Sequence, residues 1–257
     1  MDAELQALER EAAGELPWPG LERCRALARA WLRRGDCVRA LGWARAEPGG
    51  AEHQAAAAAL AEQLGLRLLS PSSAGERFAT RDGSELALIP AGAFLEDGAS
   101  AWASILSPGG SRAALARVEL PEFLVAILPA GEVHTPDEAR AAAAAAAPGG
   151  RLPTPREWKK AWRGGLHLAG DQTRRRVNDE PDRIGAWGSR APPGGSWLSP
   201  YGVCFSDGLL EWTEGPEALG AGFLSGRYLF PLGRPEERRG RRLVWRLVLD
   251  VPRRAPG

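Results

Sequence analysis

An α+β protein is expected, built as a short α-helical, repeat-like arm followed by a loop-rich mixed domain. Three observations point to it. Apolar residues recur at helical spacing over the first quarter of the chain. Beyond residue 75 short β-like pieces alternate with Gly- and Pro-rich turns. Within that second texture stand two sharply marked helix starts, at Thr135 and Thr154.

Leu5, Leu8 and Ala12, and then Leu21, Cys24, Leu27, Ala28, Trp31 and Leu32, follow the i, i+3, i+4, i+7 spacing of an amphipathic helix. Gly35-Asp36 interrupts the pattern, and Val38, Ala40, Leu41 and Ala44 open a second apolar stripe. Pro48-Gly49-Gly50 stops it, and a third helix is expected over residues 52–64. The run from Ser70 to Gly75 reads as a linker, dividing the chain into an arm of residues 1–68 and a domain of residues 76–252. Strand-like stretches follow at 85–90 and 117–128. Thr135-Pro136-Asp137-Glu138 sets a capping Thr, a Pro at the first helical position and a Glu three residues after the cap. Thr154-Pro155-Arg156-Glu157 repeats the formula, and each satisfies backbone donors that a helix start would otherwise orphan. The first of these helices runs through Ala147 to Pro148-Gly149-Gly150. The second carries Trp158, Ala161 and Trp162 on one face and ends at Gly164-Gly165. Coil is expected from there to a strand at 243–249.

Composition narrows the function classes. With 257 residues and 44% hydrophobic content the chain can bury a core, which excludes wholesale disorder. A formal charge of +1 argues against a protein that coats nucleic acid. No apolar run approaches the ~20 residues of a membrane helix, and the acidic, amphipathic first ten residues are unlike a secretory signal. Cys24, Cys37 and Cys204 form no CxxC pair, so neither a disulfide framework nor a zinc ribbon is indicated, and a cytoplasmic setting is expected. Five of the ten tryptophans lie between residues 158 and 212, among Gly and Pro. Indoles in so loop-rich a stretch either form the core that ties the loops together or line a groove.

Ordered motifs then suggest a family. The segment from Arg151 to Leu166, RLPTPREWKKAWRGGL, resembles the Arg-Leu-Pro-Thr…Glu-Trp…Ala…Arg-Gly-Gly pattern of formylglycine-generating enzymes (sulfatase-modifying factors). Leu88–Phe94 is similar to that family's opening strand and turn. Ser199–Val203 with Gly208–Thr213 is similar to its Pro-Tyr-Gly-Leu and Trp-Glu-Trp-Thr segment, and Trp245–Val248 to its closing Gly-Phe-Arg-Leu-Val. The resemblance covers roughly residues 84–252 and implies a C-type-lectin-like α+β module, mostly coil, with aromatic side chains in the middle. In the arm, the run from Trp31 to Ala44 resembles the turn of a tetratricopeptide repeat. It spans about one repeat where a free-standing array needs ~3, so these helices are expected to lean on the rest of the chain or on a partner.

The departures from the family pattern bear on chemistry. The resemblance implies copper held by two cysteines after the Trp-Glu-Trp segment, a thiolate pair that suits soft Cu(I). Residues 213–257 contain no Cys, and Cys204 aligns with a tyrosine before that segment. The family's calcium loops imply oxygen ligands, yet one such position aligns with Phe205 and another with Gly185. Asn178 and Glu211 survive as relic candidates, too few for a cage of ~6 or more oxygens. Packing by Phe205, Leu209 and Leu210 is expected in its place. A further helix usual in the family is missing between Leu128 and Thr135, which trims a wall of the substrate groove.

Individual residues keep more than one reading. Glu211 is either a buried acid paired with an arginine, since an unpaired buried charge is too costly, or a relic metal ligand. Trp187, Trp197, Tyr201 and Trp212 are either core or part of a candidate binding surface, to which Arg227 and Arg246 are added. His134 reads as a turn residue, and Glu138 and Glu157 as capping groups. The C-terminal arginines from Arg234 to Arg254 are diluted by Glu236 and Glu237 and read as a solvated face. Pro193-Gly194-Gly195 fits no phosphate loop, because no Gly-Lys-Ser/Thr follows. The expectation is a non-catalytic protein- or peptide-binding module of a bacterial cytoplasmic assembly, with no cofactor and no membrane or nucleic-acid partner. The alternative is an oxidoreductase of the sulfatase-modifying-factor superfamily using chemistry other than copper-thiolate.

Overall fold

The computed structural model describes residues 20–69, 75–96, 116–163, 196–199, 201–206, 209–215, 218–220 and 242–252. The first described elements are three helices: α1 (Leu21–Arg33), α2 (Cys37–Ala44) and α3 (Ala51–Leu64). They form where the apolar period predicts. Asp36 caps α2 by accepting from the Arg39 amide at 3.1 Å. Gly65 closes α3 in the left-handed conformation, at φ 65°.

The strands β1 (Arg67–Leu68), β2 (Arg77–Ala79), β3 (Glu85–Ile89), β6 (Phe123–Ala126) and β13 (Val248–Asp250) form the main sheet in that order, every pair antiparallel. Side chains alternate across it. Leu86, Leu88, Leu124 and Leu249 face a core shared with Leu27, Trp31, Leu41 and Leu60 of the helices. Ala87, Ile89, Phe123, Val125 and Val248 face a second core with Trp158, Trp162, Tyr201, Val203 and Phe205. A sheet buried on both faces reads as continuous apolar runs, and the burial of Leu86–Ile89 and Phe123–Ala126 is of that kind.

A second sheet runs β11 (Ala218–Leu219), β10 (Leu209–Trp212), β12 (Arg242–Trp245), β7 (Ala130–Glu132), with β10 and β12 parallel. Two antiparallel pairs complete the described strands, β4 (Gly92–Glu96) with β5 (Ala116–Leu120) and β8 (Ser196–Leu198) with β9 (Cys204–Ser206). Between β7 and β8 lie α4 (Pro136–Ala146) and α5 (Pro155–Arg163).

The fold is α+β, and it differs from the sequence reading in three places. The linker begins just after β1, which pairs with β2 across it, so the division at 68/76 cuts the main sheet between its first two strands. The helical arm is thus one layer of the fold, leaning on the sheet as its shortness required. The stretch 117–128 is two strands in different sheets: Pro121, which lacks an amide hydrogen for a ladder, marks the step from β5 to β6. The expected coil after residue 165 holds β8 to β11, and the strand expected at 243–249 divides into β12 and β13 around Arg246-Leu247.

Candidate functional site: a buried arginine–glutamate hub

Glu211 lies in β10, between Leu210 and Trp212, and is 2% exposed. Arg246 lies where the chain leaves β12 for β13, and is 1% exposed. Its Nε donates to Glu211 Oε2 at 2.6 Å and its Nη2 to Oε1 at 2.6 Å, a bidentate pair. Nη1 donates to the Ala126 and Ile127 carbonyls at 2.7 and 2.8 Å, and Nη2 also donates to the Cys204 carbonyl at 2.8 Å. A guanidinium has five N–H donors, and these contacts occupy all of them. The plane lies over Phe205, 4.8 Å from its ring centroid.

Helix α5 supplies the third member. Thr154 and Glu157 form the reciprocal cap expected at its start: the Thr154 amide donates to Glu157 Oε2 and the Glu157 amide to Thr154 Oγ1. Arg151 holds both oxygens of Glu157 at 2.8 and 2.6 Å. The helix so fixed directs Trp158 Nε1–H onto Glu211 Oε2 at 3.0 Å, with Trp158 edge-on to Phe205. Lys160, also fully buried, donates from Nζ to the Pro90 and Gly92 carbonyls at 2.6 and 2.9 Å, tying α5 to the β3–β4 turn.

Of the two readings of Glu211, the geometry is that of a buried acid paired with an arginine: both carboxylate oxygens are committed to protein donors. Tyr201, Trp212 and Arg246 correct the expectation of a candidate binding surface. They are 0%, 2% and 1% exposed and serve the interior. Phe205 and Leu210 are buried in the second and third cores, as expected, while Leu209 is half-buried. Trp197 is the central residue of β8, in register with Phe205. Asn178, Trp187, Gly185, Arg227 and the arginines at 234, 238, 239, 241, 253 and 254 lie outside the described residues. His134 is an exposed turn residue whose amide donates to Glu138, and Thr135 with Glu138 completes the other expected capping box.

Cys24 and Cys37 are buried in α1 and α2, Cys204 is half-buried in β9, and all three are free thiols. Among the described residues no three His, Cys, Asp or Glu side chains gather as a metal site, and no helix is long and apolar enough to cross a membrane. Sequence reasoning missed several buried polar groups, among them Lys160 and the pair His53 and Glu76, which the half-buried Arg45 joins. The signal for one was present: His53 falls with Ala56, Ala57 and Leu60 on the buried face of α3. No protein-family model matches the chain, and no curated protein matches it.

Proposed function

We propose that this chain is a non-catalytic protein- or peptide-binding module of a cytoplasmic assembly, a C-type-lectin-like relative of formylglycine-generating enzymes without their metal chemistry. The observation that carries the reading is the state of Glu211. The resemblance makes this residue a calcium ligand, whereas both of its oxygens are held by Arg246 and one also by Trp158. A guanidinium stands where a hard cation would need free oxygen lone pairs. The sequence adds that residues 213–257 hold no thiolate for copper. What remains is a packed frame of sheets and helices, and the segments that join such elements are where recognition is commonly carried. Its family and setting rest on the ordered motifs, and fold alone does not assign an activity.

The test has two arms. Purified full-length protein is incubated aerobically with Cu(I) and a cysteine peptide, and its thermal midpoint is followed during calcium titration. No peptide oxidation and an unmoved midpoint are expected. Turnover of the cysteine, or saturable stabilisation by calcium, overturns the reading and revives the oxidoreductase or a lectin-type site. In the second arm, tagged protein at native abundance recovers the same partner polypeptide in stoichiometric amount from repeated purifications. Recovery of the chain alone counts against a binding module.

A further inference from the structure

The second buried charge cluster sits at the seam between the helical layer and the main sheet. Glu76, immediately before β2, is 2% exposed. Arg45, at the C-terminal end of α2, donates from Nε to its Oε1 at 2.8 Å and from Nη2 to its Oε2 at 2.7 Å. His53, in the first turn of α3, is 3% exposed and meets Oε1 through Nε2 at 2.9 Å. The Gly49 amide donates to His53 Nδ1 at 3.2 Å, so that nitrogen is an acceptor and Nε2 is the one turned to Glu76. The Glu76 carbonyl in turn accepts from the Leu88 amide of β3. One carboxylate therefore gathers the end of α2, the α2–α3 turn and the start of α3, and fastens all three to the sheet.

The charged groups around it are themselves answered. Glu47 and Glu52 line the same small depression as His53, and are paired with Arg25 and Arg29 of α1. Arg77, beside Glu76, reaches the Gly202 carbonyl. Burial pushes the Glu76 carboxyl up. The charge and hydrogen bonds of Arg45, with the hydrogen bond of His53, outweigh that and hold it far below the usual carboxylate range. A carboxylate with a depressed folded value contributes stability that is complete above the ordinary unfolded value of about 4.3 and is lost as pH falls toward the folded one.

We propose that Arg45, Glu76 and His53 form an acid-released lock: ionised Glu76 holds the three helices on the sheet, and its protonation frees the helical layer while the second core stays shut. The separation is built into the fold. The far face of the sheet packs on α5 and the β8–β9 pair and has its own buried pair, Glu211 with Arg246, whose hydrogen bonds do not run through Glu76.

Amide hydrogen exchange of the full-length chain tests this. Glu76→Gln reproduces the protonated carboxyl at neutral pH without touching any other acid. It is expected to speed exchange of α1, α2 and α3 by about a hundredfold or more, the order of effect of breaking a buried ion pair, while β6 and β13 remain the more protected amides, exchanging only through the global step. The wild-type protein taken from pH 7 to below about pH 4 is expected to lose helical protection first, after correction for intrinsic rates. Wild-type protection of the helices in Glu76→Gln overturns the lock. Equal protection of helices and strands, in the variant or along the acid series, overturns the separate opening of the layer.

Discussion

Arg246 places all five N–H donors on protein acceptors: two carboxylate oxygens and three backbone carbonyls drawn from β9 and the end of β6. Desolvating such a pair costs several kcal/mol per ion, and mutual attraction returns that only with the full set of partners in place. The pair is therefore expected to matter more by its removal than by its presence. Glu211→Ala, which leaves Arg246 buried and unanswered, is expected to cost about 3–5 kcal/mol in urea unfolding. The double variant Glu211→Leu with Arg246→Met is expected to recover much of that loss, and the two single effects should sum to more than the double. Equal additivity would mean that the two side chains do not act as a pair. The sequence made the need visible, because an acid between Leu210 and Trp212 has to find a cation. Its partner was not legible: Arg246 is one of 33 basic residues and lies 35 positions away.

Legibility at the scale of elements follows the range of the interactions that make them. Helix starts were readable because a cap is a local event, complete within four residues at Thr135 and Thr154. Longer apolar strands such as β3 were readable, but β8 to β11 were not, because they are two to four residues long and are stabilised by partners elsewhere in the chain. The chain also changes sheets at Pro121 and at Arg246, where apolar pattern continues across the step. Two glycines separate local propensity from tertiary packing in the same way. Gly42 lies inside α2, and a Cβ there meets nothing within 4 Å. A Cβ at Gly150 would stand 2.2 Å from the Ala143 carbonyl oxygen and 2.9 Å from Leu247 Cδ1. Gly42→Ala is expected to stabilise by about 0.5–1 kcal/mol and Gly150→Ala to destabilise by about 1–3 kcal/mol. Thermal midpoints moving in opposite directions are the check; a shared sign contradicts the packing described around Gly150.

At the scale of the molecule, the helices are a wall of the core and not an appendage. Phe78, Leu86, Leu88, Leu124, Leu247 and Leu249 find their cover in Leu27, Trp31, Leu41 and Leu60, and Glu76 finds its charge partner in Arg45. The Ser70–Gly75 stretch, so prominent in the sequence, falls between two paired strands of one sheet. A fragment beginning at residue 76 would expose that whole apolar face together with an unpaired carboxylate, and loss of each buried large side chain's contacts costs on the order of 2–5 kcal/mol. Against a total stability of about 5–15 kcal/mol, such a fragment is expected to keep only a weakly stable second core, to unfold at far lower urea than the full chain and to self-associate in size-exclusion chromatography. Supplying residues 1–69 as a separate chain during refolding should restore a monodisperse complex, because among the described residues the two pieces are joined by side-chain packing, by the Arg45–Glu76–His53 cluster and by the pairing of β1 with β2. A fragment that folds alone with wild-type stability would mean that the helical layer contributes nothing to the sheet it covers, and the shared core would have to be abandoned.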